Sequence, residues 1–304
     1  MALFRIPGGV ASQVRARPSH PGKEKGLQTL IENNLDTLFG VRFVATEFST
    51  GSKHRGRIDT LGLDQDGSPV IIEYKLTSND NVINQGLFYL DWLMDHRGDF
   101  EVKVRSTLGD VPTVWDSPRL ILLASSFNRF DQYAVNRIDE RIELWTYTLY
   151  EDDLLGIELL SSEEVSTSTG NATIKRPTPK AQAPGRPTRS VYEREHHVSK
   201  MSGSTEVLFE LLRDEIMKLG DDVTERFMNQ YIGYRRLKNF CEIVGMKSKL
   251  NVFIDGPIAN PKGLGDDVSN IGHWGTGQRR IEVADEDDVV AALPLIANAY
   301  GLQG

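Results

Sequence analysis

At 304 residues, 39% of them hydrophobic, the chain is long enough for two domains that each bury a core. Its formal net charge of −8 excludes a protein that coats nucleic acid through a general cationic surface, while leaving room for a local basic groove. The single cysteine, Cys241, excludes a disulfide framework and a thiolate zinc cluster, and reads as a small buried hydrophobe in a reducing cytoplasm. The opening residues lack the apolar core of a signal peptide, and no stretch approaches the roughly 20 apolar residues of a bilayer span. The expectation is a soluble, cytoplasmic chain with no membrane partner.

In chain order, Leu27, Leu30, Ile31, Leu35 and Leu38 fall at helical spacing, so Lys23 to Phe39 reads as one amphipathic helix stopped by Gly40. Val41 to Phe48 and Arg57 to Leu63 read as strands. The Asp66-Gly67 pair is a hairpin signal, and it leads into the run Val70-Ile71-Ile72-Glu73-Tyr74-Lys75, a central strand. Helical periodicity returns from Asn79 to Asp95, with Ser78 or Asn79 as the N-cap. Arg119 to Ser125 reads as a buried strand, Asp131 to Asp139 as a short helix, and Ile142 to Tyr150 as a closing strand.

Composition then shifts to Ser, Thr, Pro and Gly, which predicts a flexible linker over residues 161–203 whose Lys175, Arg176, Lys180, Arg186 and Arg189 have no acid between them. His196 and His197 fall inside it. Beyond the linker, Thr205 to Leu219 and Asp221 to Tyr231 read as helices, Arg236 to Gly245 and Lys249 to Asp255 as strands, and Glu286 to Tyr300 as a last helix. This is a second, small α+β domain over residues 204–304. Its Tyr231, Tyr234, Arg235, Arg236, Lys238, Trp274, Arg279 and Arg280 mix rings with cations, a pattern compatible with stacking on bases and equally with ordinary packing.

Residues two apart on a strand share a face, so Glu73 and Lys75 project together. If the hairpin is centred near Asp66, Asp59 lies across from Glu73, and two carboxylates converge beside one lysine. Two hard oxygen ligands suit Mg²⁺ or Mn²⁺, with Lys75 placed beside the attacking water. On the next helix Gln85 and Tyr89 are four apart and share a face.

The segments RGRID, ending at Asp59, and IIEYK, ending at Lys75, resemble the signature of the PD-(D/E)xK nuclease superfamily, and Gln85 with Tyr89 is similar to the Q-xxx-Y element of its RecB-like and NucS-like branch. The resemblance implies an α/β fold with a restriction-endonuclease-like α-β-β-β-α-β core and a central mixed sheet over residues 23–160, after an N-terminal extension over 1–22. It implies Asp59, Glu73 and Lys75 as catalytic residues, Gln85 as an accessory, and Asp59 and Glu73 as metal ligands. Glu32 matches the place of an additional acid near the metal, a match that stands beside a solvated helix flank. Lys53, Arg55 and Arg57, together with His54, form a basic cluster before Asp59 that is placed to meet a phosphate backbone, and Tyr89 could present its phenol to a phosphate. The family's leading proline is absent, Ile58 taking its position.

The C-terminal sequence, with NVFIDGPIANPKGL and NIGHWGTGQRRIEV, is similar to a small domain of unknown function, DUF5655. These readings together imply a metal-dependent nuclease acting on DNA in repair or defence, compatible with a homodimer that sets two sites on two strands. The competing expectation is a nucleic-acid-binding or interaction module that keeps the fold with little cleavage.

Overall fold

In a computed structural model the chain is described at residues 2–17, 24–76, 82–135, 137–138, 140–162, 192–255, 264–269 and 277–302. Among these no helix is long and apolar enough to cross a membrane. The central part of the basic linker, the proposed N-cap Ser78 or Asn79, and Trp274 lie outside the described residues.

The N-terminal extension forms a small hairpin, β1 (Leu3–Arg5) and β2 (Ser12–Val14), tied to the body where Ala16 bridges Tyr150. The predicted first helix is two helices, α1 (Glu24–Glu32) and α2 (Leu35–Phe39), broken at the Asn33-Asn34 turn. Gly40, at φ +61°, closes α2 in the left-handed conformation that glycine adopts without strain. Then come β3 (Val41–Ser49), the short α3 (Gly51–His54), β4 (Arg57–Asp64) and β5 (Pro69–Lys75). They are followed by α4 (Val82–Asp95), α5 (Arg97–Leu108), β6 (Arg119–Ala124), α6 (Arg129–Val135), β7 (Arg141–Leu149) and β8 (Leu155–Ser162). Helix α5 was not expected, since it buries only Phe100 and Val104 and so carries a weak periodic signal. Nor is β7 the closing strand, because β8 pairs outside it.

The six strands order as β3-β4-β5-β6-β7-β8, with β5, β6 and β7 mutually parallel and the rest antiparallel, so the sheet is mixed. Helices α1 and α2 cover one face, where Leu27, Ile31 and Phe39 pack on Ile72, Tyr74 and Leu123. Helices α4 and α5 cover the other, where Val82, Leu90 and Phe100 pack on Ile71, Leu120 and Leu122. Strand β5 is therefore buried on both faces, which is why its sequence is a nearly unbroken apolar run rather than an alternating one.

The second domain holds α7 (Arg194–Val198), α8 (Gly203–Met217), β9 (Thr224–Phe227), β10 (Ile232–Arg235), β11 (Asn239–Gly245), β12 (Leu250–Ile254), β13 (Asp266–Asp267), β14 (Arg279–Val283) and α9 (Glu286–Gly301). Its sheet, ordered β13-β14-β12-β11-β10-β9, is antiparallel throughout. Helices α8 and α9 close its core, with Phe209, Leu212 and Ile296 against Ile232, Ile243 and Val252. Two readings are corrected here. The stretch Asp221 to Tyr231 is not a helix: Val223, Phe227 and Tyr231 fall four apart, but Thr224–Phe227 pairs with β10 through a turn in which Met228 N–H donates to Tyr231 O at 2.9 Å. And His196 and His197 are not linker residues, since both lie on α7 and His197 is buried.

Where the N-terminal ends of β6 and β7 meet α2 lies a buried ionic cluster. Arg119, fully buried, grips Glu143 with two hydrogen bonds of 3.0 Å, and Arg141 reaches Asp64 at 3.3 Å. Burial alone would raise the Glu143 carboxyl, but the guanidiniums of Arg119, Arg235 and Arg141 hold it well below its ordinary range.

Candidate active site

The β4-β5 register pairs Thr60 with Ile72, which sets Asp59 opposite Glu73, on the sheet face covered by α4. The pair is interlocked through its own backbone: Asp59 N–H donates to Glu73 Oε1 at 3.1 Å, and Tyr74 N–H donates to Asp59 Oδ2 at 3.2 Å. Gln85, in the first turns of α4, donates from Nε2 to Glu73 Oε2 at 3.0 Å and so fixes the second oxygen of that carboxylate. Lys75 stands two residues beyond Glu73 at the C-terminal end of β5, 3.6 Å from Glu24 Oε1 at the start of α1. The ends of parallel strands are where open α/β sheets expose a crevice to ligands.

The electrostatics follow from burial. Glu73 is fully buried, and loss of water together with the neighbouring Asp59 carboxylate pushes its carboxyl up to about 9. Asp59 is raised for the same first reason, desolvation, with Lys75 pulling the other way. Two carboxylates thus share a desolvated position with one ammonium that is itself shared with Glu24, so the site is short of positive charge.

Of the residues singled out from the sequence, Asp59, Glu73, Lys75 and Gln85 are brought together. Glu32 is not: its Oε1 accepts from Thr60 Oγ1 at 2.6 Å and from Gln28 Nε2 at 2.9 Å, on the opposite sheet face, where Thr60 also meets Tyr74. The first-helix acid that reaches the site is Glu24, through Lys75. Among the described residues no group of three or more His, Cys, Asp or Glu side chains is arranged to hold a metal ion.

Tyr89 has a role the sequence did not show: its ring is buried, and its hydroxyl accepts from Arg57 N–H at 3.1 Å and from Gln85 Nε2 at 3.3 Å, so it braces the site. Gly56 permits this, because a Cβ there would meet Tyr89 Cε1 at 2.6 Å. Arg55 and Arg57 are exposed, with Arg57 paired to Glu47 at 3.1 Å; the Lys53 side chain lies outside the described residues. Of the ring-and-cation residues in the second domain, Tyr231, Tyr234 and Arg235 are buried and bonded within the protein, not open to bases.

Sequence reasoning did not single out an aromatic groove bounded by β3, α3, the C-terminal end of α4, and α5. His96 stacks on Trp92 at 4.4 Å and 12°, with the His54 ring edge-on to His96 at 5.8 Å. With Phe48, Thr50 and Lys103 these rings line an open groove of about 770 Å³. Only Trp92 carries a periodic signal, and that signal is the one of a core residue.

The fold and the site define a two-domain α/β protein whose mixed sheet carries a carboxylate pair, Glu73 buried and Asp59 half-buried, and a lysine. Residues 195–303 match the family model described as a domain of unknown function, DUF5655. A relative from Haemophilus influenzae, described as an uncharacterized protein, is 29% identical over 98% of this chain and 99% of its own length. Among solved structures, an EndoMS complex with double-stranded DNA aligns at 22% identity over 44% of this chain, with a TM-score of 0.29. A repair endonuclease from Pyrococcus abyssi aligns at 19% identity over 40% of it, with a TM-score of 0.27. These matches span 50% and 46% of the respective solved chains.

Proposed function

We propose that the first domain hydrolyses phosphodiester bonds in nucleic acid, DNA foremost, with Mg²⁺ or Mn²⁺ held by Asp59 and Glu73. The observation that carries this reading is the convergence of these two carboxylates on the α4 face, with Lys75 on the same strand and Gln85 fixing Glu73 from the helix. The donor set fits the ion: hard carboxylate oxygens, desolvated and short of positive charge, are what a divalent cation of this kind takes, its remaining positions being left to water and substrate. When bound, such an ion supplies Lewis acidity toward a phosphoryl oxygen.

The chain's own residues do the rest. Gln85 holds the Glu73 carboxylate in one orientation, and Tyr89 holds Gln85. Lys75 sets an ammonium where negative charge develops on the phosphate, a contribution that is strongest in a water-poor site. Arg55 and Arg57 offer exposed cations along the approach to β4.

The test is cleavage of labelled single-stranded, duplex and branched DNA with Mg²⁺, Mn²⁺ or EDTA, for the wild type, Glu73→Gln and Lys75→Met. Metal-dependent cutting that falls by about 10²-fold or more in both variants is the expected result. A wild type that binds DNA but cuts nothing, indistinguishable from its variants, would leave the domain as a binding module.

A further inference from the structure

The tip of the β4-β5 hairpin is not free. Asp66, at its apex, points into the second domain, where its Oδ1 accepts from the Tyr231 hydroxyl and, at 2.8 Å, from the Asn239 side-chain amide, and its Oδ2 pairs with Arg226 at 3.1 Å. The neighbouring Gln65 accepts from Asn239 N–H at 2.9 Å. Side-chain exposure is 3% for Asp66 and 11% for Arg226, so the ion pair is out of water.

An aspartate in an Asp-Gly turn is ordinarily solvated. Taking it out of water is costly unless its oxygens are all met, and here one cation and two neutral donors meet them. All three come from one surface, the edge formed by β9, the β9-β10 turn and the start of β11. A second contact lies beside the first: Arg235 Nη2 donates to the Phe39 carbonyl, at the C-terminal end of α2 where helix carbonyls lack intrahelical partners, at 3.3 Å. Close approach there depends on Gly40, since a Cβ would meet Lys238 Cβ at 2.7 Å.

We propose that this edge of the C-terminal domain is a carboxylate-reading docking surface, and that its occupant is the acidic Gln65-Asp66 turn of the first domain. The domain is then a docking module that closes in cis on the hairpin carrying Asp59 and Glu73. The surface fits an acidic β-turn as a class of partner: Arg226 supplies the charge, Tyr231 and Asn239 the directional bonds, and the Asn239 main chain reads the residue before the acid. This inference does not depend on the nuclease reading.

The test uses the full chain with a protease site introduced between Lys175 and Lys180, cut after folding, and analysed by size-exclusion chromatography at micromolar concentration. The connection between the halves supplies a high effective concentration, so cutting it exposes the strength of the contact itself. Wild-type halves are expected to co-elute. Asp66→Ala on one side, and Arg226→Met on the other, each remove one partner of a buried charged pair, and the affinity between halves should fall about thirty-fold or more. Asp66→Asn, which keeps an acceptor and loses the charge, should fall between. Circular dichroism of each separated half shows that a variant has kept its fold, and since the two variants lie on different halves, misfolding of one leaves the other to decide. Wild-type halves that separate on cutting, or folded Asp66→Ala halves that co-elute as tightly as wild type, would overturn the proposal. None of these readouts requires cleavage of nucleic acid.

Discussion

A carboxylate such as Glu73 acquires its properties from what surrounds it. The position of Glu73 and Lys75 on one face of β5 was legible, because a two-residue spacing on a strand admits no other arrangement, and the Asp66-Gly67 turn fixed the partner as Asp59. The roles of Glu32 and Tyr89 were not, because helical spacing tells which residues share a face and not which way that face looks. Glu32 turns to Thr60 on the far side of the sheet, and the Tyr89 hydroxyl accepts from the Arg57 backbone and from Gln85. The dependence of Tyr89 on Gly56 leads to a prediction. In Gly56→Ala the new methyl displaces the Tyr89 ring, and Gln85 loses its support. Mn²⁺ affinity measured by calorimetry should then fall about tenfold, as for other residues that act through a ligand, with folding of the second domain unchanged; unaltered affinity would mean that Tyr89 does not brace the site.

At the level of whole elements, the chain was readable where burial leaves a strong pattern and opaque where it does not. Strand β5 announced itself as an apolar run, whereas β9 is an edge strand whose four residues are all half-buried, so it has neither the alternation of a strand nor a true helical stripe. Helix α7 was hidden within a polar stretch, and its packing rests on His197. Burial, with Lys200 nearby, pushes that imidazole down to about 4, so it is neutral in the folded chain. Because the unfolded value, near 6.5, is higher, the unfolded state binds the proton first. The stability contributed by a neutral His197 is therefore complete above pH 6.5 and is lost as pH falls from there toward 4. Thermal melts between pH 7 and pH 5 should show the wild type dropping by a few degrees more than His197→Phe, which has nothing to protonate there. Equal drops would show that His197 is protonated without cost.

Taken whole, the molecule joins its two domains through a largely polar junction: the Asp66 contacts on one side, and on the other Arg119 and Arg235, which both reach the Phe39 carbonyl, with Leu237 packed on the first domain's core beneath α1 and α2. Sequence alone shows the two domains as a change of composition between residues 161 and 203, but a junction assembled from single residues far apart in the chain, most of them polar, leaves no local pattern to find. Such a junction makes the cores unfold together only while it is intact. Calorimetry of the uncut chain is expected to give one transition for the wild type and two resolved transitions for Asp66→Ala. Two transitions in the wild type would show that the domains melt independently.

The hairpin has one more property. Asp59 and Glu73 are fourteen residues apart, and Asp66 is the midpoint of that interval. Like a ruler folded at its centre, the segment brings its two marks together only while both arms are equally long. Adding or deleting one residue in either arm would turn an acid to the other side of the sheet. Drift in this stretch should therefore conserve the number of its residues, and any lengthening that survives should come in matched pairs.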